Sequence, residues 1–153
     1  MDNLSEIVRG GTFCLAKAGL EIGGTTSQVA IDAPNSVGID FAIKGVLYNK
    51  AEADDVFTLS GDIQTALYSC LYLLSLDKDG TAHCTQGKEV LTAAIGGTPL
   101  EWPVADADCC AIGAIRVDAG ASAFTPGTTA LTGGTVVVTY YDFFAVPDAP
   151  IVS

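Results

Sequence analysis

The feature that most restricts this chain is how its apolar residues are parcelled. They fall in short blocks rich in Val, Ile, Tyr and Phe, cut apart by 17 Gly and 6 Pro together with Asp and Asn. Glycine interrupts regular elements through its backbone freedom, and proline through its missing donor. Blocks of roughly four to eight β-compatible residues between such breaks read as strands joined by turns. None approaches the roughly 18 apolar residues a membrane-spanning helix needs, so no transmembrane segment is expected.

Strands are expected over 25–31, 39–50, 56–60, 69–76, 81–86, 111–118 and 135–144. Across 39–50 a period of two puts Phe41, Ile43 and Leu47 on one face and Asp40, Lys44 and Tyr48 on the other, and an acidic turn at 51–55 ends the run. The stretch 63–76 has two readings. Ile63, Leu67, Cys70, Leu71 and Leu74 would share a helix face behind an Asp62 N-cap, whereas Tyr68, Tyr72 and the apolar run 70–74 suit a strand covered on both faces. The strand is preferred, because Asp77-Lys78-Asp79-Gly80 then turns it into 81–86 as a hairpin. Pro99 and Pro103 confine their segment to an edge strand or an extended loop, with Trp102 as its anchor, and Pro126-Gly127 suits a type II turn.

These elements predict an all-β fold: a single β-sandwich, jelly-roll or barrel-like domain over 25–153. Residues 1–24, broken at Gly10-Gly11, Gly19 and Gly23-Gly24, are expected as an extended N-terminal arm or a set of short strands. A chain of 153 residues is long enough to bury a core of its own.

Seven basic residues against eighteen acidic ones give a formal charge of −11. That charge repels nucleic-acid phosphates and anionic lipid, so neither nucleic acid nor membrane is expected as a partner. Asp2, Glu6 and Glu21 interrupt the first thirty residues, which lack the basic start and apolar core of a secretory signal, so folding in the cytoplasm where the chain is made is expected. The cysteines, Cys14, Cys70, Cys84, Cys109 and Cys110, are odd in number and form no CxxC pair. They read as reduced, apolar packing residues rather than a zinc site or a disulfide framework.

A search for catalytic chemistry yields little. His83 is the lone histidine, and it adjoins Cys84, whose side chain a strand would turn to the opposite face. No GxSxG, HExxH or phosphate-loop pattern occurs. Asp77-Lys78-Asp79-Gly80 starts like a calcium loop, but Lys88 stands where the closing Glu belongs. Asp54-Asp55 and Asp106 with Asp108 are acidic pairs on loops, too few oxygens by themselves for a hard cation. The expectation is a non-enzymatic protein with no catalytic residues, no metal site and no cofactor.

Tyr140, Tyr141, Phe143 and Phe144 place large rings on both faces of one strand, so rings on one of them need cover from outside a single core. Either a subunit interface or a loop or arm of the chain itself would supply it. With Trp102, the residues Tyr140, Tyr141 and Phe143 are the candidate subunit-interface residues.

Several blocks, taken in order, resemble small virion structural proteins of tailed bacteriophages. They are Gly38-Ile39-Asp40-Phe41-Ala42-Ile43-Lys44-Gly45-Val46-Leu47-Tyr48-Asn49-Lys50-Ala51 and Cys70-Leu71-Tyr72-Leu73-Leu74-Ser75-Leu76-Asp77 with Gly80. Leu100-Glu101-Trp102-Pro103, Ile112-Gly113-Ala114-Ile115-Arg116-Val117, Phe124-Thr125-Pro126-Gly127-Thr128-Thr129-Ala130-Leu131 and Tyr140-Tyr141-Asp142 follow. The likeness runs from about residue 38 to Pro150. It implies a capsid decoration (cement) protein on the capsid exterior of the virion, bound to the outer shell and bridging neighbouring copies of the major capsid protein. Its other partners would be copies of itself, a homotrimer ahead of a dimer. The alternative reading is a head or tail fibre or adhesin module that binds a host-surface glycan.

Overall fold

The computed structural model describes residues 11–144. Over these residues it is all-β and antiparallel, with eleven strands and one short 3-10 turn at Thr92–Ala94. The strands are β1 Phe13–Cys14, β2 Leu20–Ile22, β3 Gln28–Ile31, β4 Ile39–Ile43, β5 Val46–Lys50, β6 Ala53–Thr58, β7 Tyr68–Leu76, β8 Ala82–Gln86, β9 Val90–Leu91, β10 Cys110–Ala119 and β11 Val136–Asp142. They form a five-stranded sheet in the order β11-β10-β7-β8, with β9 also paired to β7, and two three-stranded sheets, β1-β4-β5 and β2-β3-β6. β1 and β4 lie against β10, β2 against β11, and β6 against β8, so the two small sheets form a second layer over the large one. The result is sandwich-like, and among the described residues no sheet closes into a barrel.

β7 is the strand covered on both faces that its composition predicts. Cys70, Tyr72, Leu74 and Leu76 point between the layers, and Ser69, Leu71, Leu73 and Ser75 on the other face are also buried. The helical reading of 63–76 therefore does not hold; Gln64 instead makes an isolated bridge to Phe124 before β7 begins. β10 carries a bulge between Ala111 and Gly113, which lets Ile112 and Ile115 both face the core. From the opposite layer come Val29, Ile31, Ile39, Phe41, Phe57 and Leu59, all essentially buried. Dispersion and apolar burial across this seam are the main source of stability.

Two boundaries differ from expectation. The run 39–50 is a hairpin rather than one strand, turning at Lys44-Gly45, both of which have positive φ (50° and 79°) as a type I′ turn requires. A two-residue turn reverses the phase of the alternation, so Tyr48, not Leu47, joins Phe41: their rings stack at 5.8 Å and Leu47 is 70% exposed. The acidic stretch expected as a turn at 51–55 instead enters β6, with Asp54 and Asp55 on the strand. The Asp77–Gly80 hairpin and the Pro126-Gly127 turn form where expected; Gly127 has φ +70° and Thr128 N donates to Thr125 O at 3.2 Å.

Residues 1–10 of the segment expected as an arm lie outside the described residues. Its remainder supplies β1, paired with β4, and β2, paired with β3, and places Ala18 and Leu20 in the core.

Candidate interaction surface

The register of β11 on β10 decides which aromatic rings come together. Ile115 is opposite Tyr140 and Ala114 opposite Tyr141, so the faces alternate along the pair. Tyr140 turns inward, half-buried against the core, where burial and then Glu21 hold its hydroxyl above the usual pKa. Tyr141 and Phe143 turn outward. The loop leading to β10 lays Trp102 over them, edge to face, at 5.8 Å and 86° from Tyr141 and 5.3 Å and 80° from Phe143. Of the four candidate interface residues, three therefore form one cluster and Tyr140 belongs to the opposite face.

The loop covers only part of these rings. Trp102 remains 54% exposed, Tyr141 36% and Phe143 37%. Along the same outward face Val137 is exposed, and it borders a shallow apolar hollow of about 800 Å³ with Leu67 and Leu91.

A second apolar face lies on the other layer. Phe13 and Leu47 flank Ala42 in one cross-strand row of the β1-β4-β5 sheet, on the side away from Phe41 and the core. Both are half-exposed or more, and between them Ala42 is buried. Sequence reading missed this row because it placed Leu47 on the core face; the available signal was Gly45, whose freedom at positive φ permits the tight turn.

The polar groups nearest to a catalytic arrangement surround the histidine. His83 sits between two aspartates, with Nε2 3.4 Å from Asp77 Oδ2 and Nδ1 3.8 Å from Asp106 Oδ2. They line a hollow of about 500 Å³ that also receives Lys44, Tyr48, Asp108 and Cys109. Asp77 is chiefly a turn residue: its Oδ1 accepts from Thr81 N at 2.8 Å and Asp79 N at 2.9 Å, and these donors hold the carboxyl below its usual pKa. Asp108 pairs with Lys44. A nucleophilic role for Cys109 runs against its surroundings, since burial and then Asp106 raise its pKa, the reverse of what a thiolate nucleophile needs. Asp55, part of the acidic pair at 54–55, accepts from Thr25 N at 2.7 Å and Thr25 Oγ1 at 2.8 Å, tying down the turn between β2 and β3. Among the described residues no three His, Cys, Asp or Glu side chains converge as a metal site.

Searched against protein-family models, curated proteins and solved structures, the chain matches none of them.

The thiols behave as packing groups. All five cysteines are unpaired, and Cys70, Cys109 and Cys110 are buried. Burial, followed by Glu89, pushes the Cys70 thiol up to about 12. Cys14 is likewise raised, first by its hydrogen bond with Cys110 and then by burial, and its Sγ donates to Ala111 O at 3.2 Å.

Proposed function

We propose that this chain is a bacteriophage virion structural protein, a capsid decoration subunit that attaches to the outer shell and bridges neighbouring major capsid proteins. The observation that carries the reading is the pair of exposed apolar faces on opposite sides of the sandwich. Trp102, Tyr141 and Phe143 lie on one side, and Phe13 and Leu47 on the other. A subunit that bridges must adhere to two neighbours at once, and half-exposed aromatic clusters are where protein interfaces concentrate their energy. The sequence resemblance supplies the setting, a particle exterior.

In this role the chemistry is mechanical. Each attached subunit adds buried interface that must separate before the shell bursts, and stable protein interfaces bury about 1,200–2,000 Å². The acidic surface confines close approach to the apolar faces, because a chain with net charge −11 repels other anionic surfaces.

The test is co-sedimentation of purified protein with expanded shells of the parent particle that lack it, followed by heat challenge of loaded and bare shells. Stoichiometric binding and a raised disruption temperature are expected, and both should fall on changing Trp102 to Ala or Leu47 to Asp. Absence of binding would overturn the decoration role.

The Trp102 cluster favours one second reading, a fibre or adhesin module. An exposed indole beside Tyr141 and Phe143 offers a stacking platform for sugar rings. Under that reading the isolated protein binds host cells in a glycan-dependent way and Trp102→Ala abolishes the binding.

A further inference from the structure

β11 is the edge strand of the five-stranded sheet, and its backbone is poised to take another strand. Gly120 N donates to Thr135 O at 2.6 Å and Phe143 N to Ile112 O at 3.1 Å, fixing the phase of the β10 ladder. In an antiparallel ladder the direction of the backbone groups alternates residue by residue. Val137, Thr139 and Tyr141 therefore bond inward to β10, whereas the N–H and C=O groups of Val138 and Tyr140 point out of the sheet. Among the described residues no strand pairs with that edge.

Most edges are protected by charge, proline or brevity. This one is a seven-residue strand in which 136–141 reads Val-Val-Val-Thr-Tyr-Tyr, without a charged residue. In a chain of net charge −11, such a stretch is a place where a second copy can approach without facing like charge.

We infer that two copies of this chain pair antiparallel through β11, on a two-fold axis at Thr139, to make one sheet continuous across both subunits. In that register Val138 exchanges both backbone bonds with Tyr140 of the other copy, and Tyr140 does so with Val138, satisfying all the outward groups of both residues. Side chains agree with the backbone. Thr139 meets its own counterpart, and Val137 meets Tyr141 of the other copy, twice. These β-branched and aromatic cross-strand pairs are of the stabilising kind. Val137 is 63% exposed and Tyr141 36% in the single chain, so both have surface to bury. The contact is isologous, as a two-fold interface must be. It selects a dimer over the trimer that the sequence reading put first, and it does not depend on the virion reading.

The experiment is light scattering on the purified full chain at high micromolar concentration, with the variants Thr139→Asp and Thr139→Cys alongside. Twice the 15.7 kDa chain mass is expected for the unaltered protein. Thr139→Asp sets two carboxylates face to face at an exposed position, so a monomer with unchanged circular dichroism is expected. Its dissociation constant should rise by about tenfold or more, since like charges directly opposite destabilise a strand pair. Thr139→Cys should give a dimer cross-linked under mild oxidation, while the unaltered protein, with its five native thiols, should not. A monomeric or trimeric unaltered protein, or a dimer that survives Thr139→Asp and fails to cross-link in the Thr139→Cys variant, overturns the inference. A monomer that still sediments with shells would end this inference and leave the virion reading standing.

Discussion

Gln64 is fully buried, and a primary amide is tolerated there because each of its polar atoms has a partner. Its Nε2 donates to Tyr68 O at 2.8 Å and Val117 O at 2.9 Å, and its Oε1 accepts from the Tyr72 hydroxyl at 3.2 Å. Gln86 Nε2 donates in turn to that hydroxyl at 3.2 Å. Gln64→Ala should lower the unfolding free energy in urea by about 1–3 kcal/mol, because it takes the side-chain donor from the Tyr68 carbonyl and the acceptor from the buried Tyr72 hydroxyl. Tyr72→Phe, which removes one hydroxyl and leaves the packing, should cost less, about 1 kcal/mol. Nothing in the sequence around Gln64 announces this network; its members are separated along the chain and meet only when β7, β8 and β10 align. Asp77, by contrast, was legible, since an Asp opening a Gly-ended turn commonly accepts from the backbone two residues on. Its folded pKa lies below its unfolded one, so its stabilisation is present above about pH 4 and disappears as pH falls through the depressed folded value. Asp77→Ala should therefore be less stable than the parent near neutrality, with the gap closing in acid. A gap that stayed constant with pH would show the carboxylate charge to be irrelevant to the turn.

Among elements, the β4–β5 hairpin shows how a correct strand period can still assign the wrong face. The alternation over 39–50 is real on each side of Lys44-Gly45, but the turn shifts its phase by one, so a continuous strand and a hairpin differ in the side to which Leu47 and Tyr48 point. The usual Asn-Gly or Asp-Gly signal is absent; Lys44 takes the left-handed position at φ 50°, and its ammonium is held by Asp108 from a distant loop. Gly45→Ala should cost about 1–2 kcal/mol, the penalty for a Cβ in left-handed backbone, measurable as a lower urea midpoint with an unchanged slope. The longer strands β7, β10 and β11 were legible because runs of β-branched and aromatic residues between clear turns leave little room for another reading. β9 and the 3-10 turn were not, since two- and three-residue elements carry no period. The Trp102 cluster was legible in part: the surplus of rings on β11 was evident, whereas the choice of face required the register with β10.

For the whole molecule, composition settled the class but not the division of the strands among three sheets, because that division rests on contacts between residues far apart in sequence. The first strands illustrate the point. β1 and β2 are two and three residues long and flanked by glycines, so in sequence they look dispensable. In the fold, β1 lies against β10 and β2 against β11, and Leu20 N donates to Asp142 Oδ1 at 3.2 Å across the layers. Ala18 and Leu20 are buried, and Ile22 packs against the core beside them. Deleting residues 1–24 should therefore do more than remove an appendage. Burial of one Leu or Ile side chain is worth about 1.5–3 kcal/mol, and exposing the cores beneath β1 and β2 adds to this, against a total of about 5–15 kcal/mol for a typical domain. The truncated chain should be markedly destabilised or unfolded in urea titrations followed by circular dichroism, and if folded it should show a smaller urea slope, because less surface remains to be exposed. Midpoint and slope equal to those of the full chain would mean that β1 and β2 contribute nothing to the core, and that the layer they belong to is held by β3–β6 alone.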